Sequence, residues 1–177
     1  MALRKIITLP NENLRRKARK VSDFGPDLQT LIDDMIETMR DAPGVGLAAP
    51  QVDVPLRVIV VEFGDEEDDS VEPKLYTVVN PEIQRSGGET VVGTEGCLSI
   101  PGIVGDVARP SQITVKGQNR RGQAMKLKAK GWLARIFLHE IDHLEGVLFV
   151  DLAERIWRPE EQEAEEDQEV SSEQPAA

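Results

Sequence analysis

One cysteine, Cys97, and two histidines, His139 and His143, are all the thiol and imidazole chemistry available to the 177-residue chain. A lone cysteine excludes an intramolecular disulfide, so folding does not depend on an oxidising compartment. No stretch approaches the ~18 apolar residues of a membrane span. The N-terminal "MALRKIITLPNENLRRKARKV" is positive but has neither the apolar segment nor the cleavage site of a secretory signal. A cytoplasmic protein without membrane attachment is expected. Basic residues are missing altogether from residues 160–177, which hold eight of the 32 acidic side chains. Without them 24 acidic residues face 21 basic ones, so the body carries −3 of the total −11. This tail has one Val as its only large apolar side chain and cannot offset the entropy of ordering it. Residues 159–177 are therefore expected to form a disordered acidic extension behind one domain, 1–158. Such a tail repels polyphosphate and argues against direct DNA binding through that end.

Neither a βαβ rhythm nor an internal repeat is present. Leu28, Leu31, Ile32, Met35, Ile36 and Met39 recur at three-and-four spacing between Pro26 and Arg40, which predicts a helix laying one stripe on a core. "APGVGLAAPQ" then ends the helix. "LRVIVVEF" and "KLYTVV" read as strands joined by the acidic loop "GDEEDDS". Further short strands are expected at Glu89–Val92, Ile113–Gln118 and Ala124–Ala129, with "NRRG" turning between the last two. A last helix runs from about Trp132 to Leu144, with Gly146 placed to cap it. These elements predict an α+β fold, mostly antiparallel sheet around a central helix.

That helix contains "HEIDH". Residues four apart share a helical face about 6 Å apart, so His139 and His143 can offer two nitrogens to one ion while Glu140 lies beside them. Each histidine alone would read as a hydrogen-bonded core residue; the spacing with the intervening glutamate favours metal ligation. A catalytic site of this type has three protein ligands and an open position for water. Asp, Glu and Cys97 remain as candidates for the third. Cys97 lies in "GTEGCLSIPG", a stiff segment able to present a thiolate, although a free cysteine is also a common core residue.

Three stretches, "GVGLAAPQ" (44–51), "EGCLS" (95–99) and "HEIDHLEG" (139–146), resemble the signature motifs of peptide deformylases in the same order. Similarity to the bacterial enzymes extends from Ala2 to about Leu152. The resemblance implies a metallohydrolase that removes the formyl group from N-terminal N-formylmethionine of nascent polypeptides, with Cys97 as the third ligand. It also implies one divalent cation, usually iron(II) in the cell and replaceable by zinc, nickel or cobalt. Water at the open position would have a lowered pKa and supply hydroxide to attack the formyl carbon. Glu140 would act as general acid and base. The side-chain amide of Gln51 and the backbone N–H of Leu98 are implied as donors to the developing oxyanion.

Trp132, Arg135 and Ile136 precede His139 by seven, four and three positions and share its face, so they should line the cleft. Trp132, Ile136 and Val45 are expected around the methionine side chain, with Gly46 letting the substrate backbone lie alongside as an added strand. Where relatives commonly have Gln before the first histidine, this chain has Leu138. Glu95 and Arg109 are candidates for a pair bracing the cysteine loop. A transient ribosome contact is implied by the substrate, although the acidic tail differs from the basic extension by which some relatives dock there. Two other readings fit the histidine pair: a zinc peptidase whose third ligand is Glu161 or Glu163, and a metal-stabilised binding module. The latter would need a closed four-ligand site, for which no second cysteine or third histidine exists.

Overall fold

The structure is a computed structural model that describes residues 1–65 and 67–172. Pro26 opens helix α1 (Pro26–Asp41), whose predicted apolar stripe is buried throughout. After it come β1 (Gly46–Ala48), a single 3-10 turn (Ala49–Val52), and β2 (Val58–Phe63). Val58, Ile59, Val60 and Val61 are all fully buried, the pattern of a strand covered on both faces. Val58 and Val60 pack with α1; Ile59 and Val61 pack with α2 (Gly131–Leu144).

Strands β3 (Lys74–Cys97) and β4 (Ile100–Gln118) make a long antiparallel hairpin, and β5 (Ala124–Lys130) follows through the expected Asn119–Gly122 turn. Strand order is β1-β2-β3-β4-β5, all antiparallel, with β6 (Arg155–Trp157) pairing to the far end of β4. Two expected strands, "KLYTVV" and Glu89–Val92, prove to be parts of the one strand β3. Asn80 and Gly88 look like breaks in the sequence and do take positive φ, 52° and 73°. Register shifts at Val79/Glu82 and Gly87/Thr90 absorb the irregular residues, so the strand bends and continues.

Helix α2 packs against β1, β2, β4 and β5, Phe137 and Leu144 fully buried, and ends ahead of Gly146 at φ 72°. Phe149, from the short α3 (Phe149–Leu152), packs with Ile100, Val107 and Leu148 in a smaller cluster. Through Glu165 the acidic segment's glutamates are exposed, as expected of a solvated extension, but Pro159–Ser172 form a helix, α4. Pro at its start and the Glu, Gln and Ala that follow are favourable helix formers. Residues 173–177 lie outside the described residues. No helix among the described residues is long and apolar enough to cross a membrane.

Candidate metal centre and its cleft

Cys97 is the last residue of β3 and pairs with Ile100, so Leu98 and Ser99 form the tip of a two-residue turn. That turn points at the buried face of α2, bringing Cys97 to His139 and His143 from more than forty residues away. The three donor atoms lie within 4.8 Å of one another, and Cys97 Sγ is 3.4 Å from His143 Nε2. In a tetrahedral site with bonds of ~2.3 Å to sulfur and ~2.1 Å to nitrogen, donors stand roughly 3.6 Å apart. The donor set therefore fits a divalent cation that accepts mixed sulfur and nitrogen ligands. Glu161 and Glu163 stand exposed on α4 and do not join this group.

His139 is oriented by Glu95, whose Oε1 lies 2.9 Å from Nδ1, leaving Nε2 for the ion. Glu95 is the hub of a buried network. Arg109 donates two hydrogen bonds to it at 2.9 Å, and Arg135 a third at 2.7 Å. Arg109 also donates to Asp142 at 2.6 Å. Burial opposes charge on Glu95, but the hydrogen bonds and charges of Arg109 and His139 overcome it and hold the carboxyl down at about 2. Burial likewise opposes a proton on His139, yet the Cys97 and Glu95 side chains raise it to about 10 in the metal-free chain. His143 is pushed well below the usual histidine range by burial and by the charges of His139 and Arg109.

Glu140 is buried one step along α2, and its Oε2 has no hydrogen-bond partner among the described residues. Burial, the largest influence, lifts its carboxyl to about 7. An orphaned carboxylate that holds a proton near neutrality is suited to proton transfer. Gln51 is pinned by the Ala48 N–H, which donates to Oε1 at 2.9 Å. Its Nε2 therefore faces Ser99 Oγ at 3.2 Å and Cys97 Sγ at 3.6 Å.

A cleft of about 430 Å³ opens onto this centre. Val45, Gly46, Gln51, Leu98, Trp132, Ile136, His139 and Glu140 all border it, as does Cys97; His143 lies buried behind. Arg135 borders it as expected, its guanidinium 5.5 Å from the Trp132 ring centroid. Ile100, Ile103 and Val104 also line it, apolar residues that sequence reasoning missed; their place directly after "EGCLS" was the available signal. Gly46 also lies against Glu140: a Cβ built there would lie 2.6 Å from Glu140 Oε1. The expected Glu95–Arg109 pair is present. Leu138 packs half-buried in the apolar cluster around α2.

The chain matches the Polypeptide deformylase family over residues 3–158. It is 49% identical over 170 residues to a peptide deformylase of Symbiobacterium thermophilum, covering 96% of this chain and 75% of that one. With the peptide deformylase of Natranaerobius thermophilus it shares 45% over 161 residues, 91% and 99% of the two chains. Among solved structures, the peptide deformylase of Thermotoga maritima superposes with a TM-score of 0.81 at 39% identity, covering 88% of this chain and all of that one. That of Legionella pneumophila gives 0.77 at 41%, with 98% and 100% covered.

Proposed function

The chain belongs to the polypeptide deformylase family, and from that premise we propose the roles of its individual residues. The enzyme is a metal-dependent hydrolase that removes the formyl group from N-terminal N-formylmethionine of nascent polypeptides. The observation that carries the assignment of roles is the convergence of Cys97, His139 and His143 beside the unpartnered carboxylate of Glu140. Cys97, His139 and His143 would hold a divalent ion, which we take to be iron(II) in the cell with zinc, nickel or cobalt able to replace it; bound there it would supply the Lewis acidity that makes water acidic near neutral pH.

Glu140 takes the proton of the attacking water and returns it to the departing amine, so formate and a free α-amino group result. Gln51 Nε2 and the Leu98 N–H donate to the oxygen of the formyl carbon as it gains negative charge; loss of one such donor costs about 10²-fold or more. Trp132, Ile136 and Val45 receive the methionine side chain. Strand β1 ends the sheet and Gly46 borders the cleft, so a peptide bound there lies alongside as a further strand. Residues 1–158 form the catalytic domain and 159–177 an appendage to it. The enzyme acts in the cytoplasm, where nascent chains bring it into transient contact with the ribosome.

Formate release from formyl-Met-Ala-Ser by anaerobically purified, nickel-loaded protein tests this assignment. The wild type should turn over and Cys97→Ser should lose both turnover and tight metal binding. A Cys97→Ser protein with unchanged turnover would refute the ligand set.

A further inference from the structure

Between Asp106 and Glu140 the chain contains no acidic residue, although it has 32 in all. Within this stretch the second half of β4, the turn and β5 carry Lys116, Arg120, Arg121, Lys126, Lys128 and Lys130. Lys116 pairs with Glu82 and Arg120 with Asp33. Among the described residues Arg121, Lys126, Lys128 and Lys130 make no salt bridge, nor does Arg85 on the neighbouring β3. All five are exposed.

Alternation along β5 places Lys126, Lys128 and Lys130 on one face at intervals of roughly 7 Å, while Ala129 and Leu127 turn inward to the cluster around α2. The register sets Lys126 directly across from Lys116, and sets Lys128 and Arg85 on either side of Thr114. Between them lies a depression of about 250 Å³, lined by Arg85, Ser86, Gln112, Thr114, Lys128 and Lys130. Like charges directly across strands are unfavourable, and the molecule as a whole carries −11. A face that concentrates unpaired cations against that background is complementary to a polyanion. Lysines on an edge strand also deter strand addition, but that accounts for neither Arg85, which lies two strands in, nor Arg121 in the turn. In the other basic run, Arg15 to Lys20, Arg15 pairs with Asp151, while Arg16, Lys17, Arg19 and Lys20 are exposed and make no salt bridge among the described residues; that run lacks the cross-strand register and the depression of the β4–β5 face.

We propose that the β4–β5 hairpin, with Arg85, is a docking surface for the phosphate backbone of structured RNA. The proposal rests on the nascent-chain reading for the source of that RNA, the ribosome surface from which the substrate emerges. Strand β5 runs directly into Gly131 and Trp132 at the cleft wall, so docking there would hold the cleft beside the emerging peptide.

Sedimentation of the nickel-loaded full chain with purified vacant ribosomes, at two salt concentrations, tests it. In the triple variant Arg121→Glu/Lys126→Glu/Lys128→Glu the apparent affinity should fall at least tenfold, and the slope of log K against log salt should shrink by about 2 to 3. Formate release from the free peptide should stay as in wild type. Arg16→Glu/Lys17→Glu/Lys20→Glu, with the same change in net charge, should lose less than about threefold affinity. If the triple variant fails to fold, the corresponding Gln substitutions should give a smaller loss in the same direction. Equal losses in the two triple variants, no ribosome binding by the wild type, or binding to phosphatidylglycerol vesicles but not to ribosomes would each overturn the proposal. Ribosome binding without formate release would instead count against the catalytic assignment.

Discussion

Gly46→Ala should disable proton transfer without removing the metal. The new Cβ would stand 2.6 Å from Glu140 Oε1, 2.9 Å from Cγ and 3.0 Å from Cδ. Comfortable contacts between such atoms are about 3.5 Å, so the carboxyl must retreat by close to an ångström. It has little room, being 4% exposed and rooted on a packed helix between two metal ligands. A misplacement of about 1 Å can cost 10²-fold in rate, so kcat for formyl-Met-Ala-Ser should fall about 10- to 100-fold. Overpacking should lower stability by about 1–3 kcal/mol, read as a reduced denaturation midpoint. Metal content should remain one ion per chain, because the atoms nearest the new Cβ all belong to Glu140. Gly44→Ala is the matched control: its Cβ would meet Leu98 Cδ1 at 3.0 Å, the end of a flexible side chain, and the loss should be smaller. A Gly46→Ala enzyme with kcat within twofold of wild type would sink the argument that backbone closeness at this glycine positions Glu140.

Other perturbations address the surrounding network. Glu95→Gln leaves Arg109 and Arg135, each 5% exposed, without their shared carboxylate. It should cost about 3–5 kcal/mol in stability and weaken metal binding about 10- to 100-fold; unchanged metal retention would dismiss the bracing role. Because the folded value of Glu95 is about 2 against an ordinary 4.5, its contribution is present above pH 4.5 and is lost as pH falls from about 5 to about 2. Metal-free wild type should therefore lose stability more steeply through that window than Glu95→Gln, and superimposable acid transitions would refute it. Glu140 must be unprotonated to act as base, so kcat/KM should fall on the acid side with a midpoint between 4.5 and about 7, the bound cation drawing it below the latter. A flat profile down to pH 4 would exclude Glu140 as the base. Deletion of residues 160–177 should leave metal content and kcat unchanged; loss of the ion would revive Glu161 or Glu163 as a ligand.

How much of this was legible beforehand depends on the range of the interactions. Helices α1 and α2 follow from apolar spacing, Pro26 and Gly146, and the pairing of His139 with His143 needs only helical periodicity. The β4–β5 turn announces itself in "NRRG". Continuity of β3 was hidden, because Asn80 and Gly88 are locally the residues of a break, and only pairing with β4 carries the strand through them. The Ala48 N–H that holds Gln51, the apolar lining at Ile100 and Ile103, and the half-buried seat of Leu138 were equally out of view.

The sequence by itself determined the donor types, the helix that spaces two of them, and the acid-free stretch that gives one face its charge. Only the tertiary structure decided that Cys97 reaches His143 across 46 residues, that Glu95 reaches His139 across 44, and that Gly46 lies against Glu140. Local spacing records what shares a face of one element. Contacts between elements depend on how the β3–β4 hairpin folds over α2, a matter of packing that no short window of residues contains.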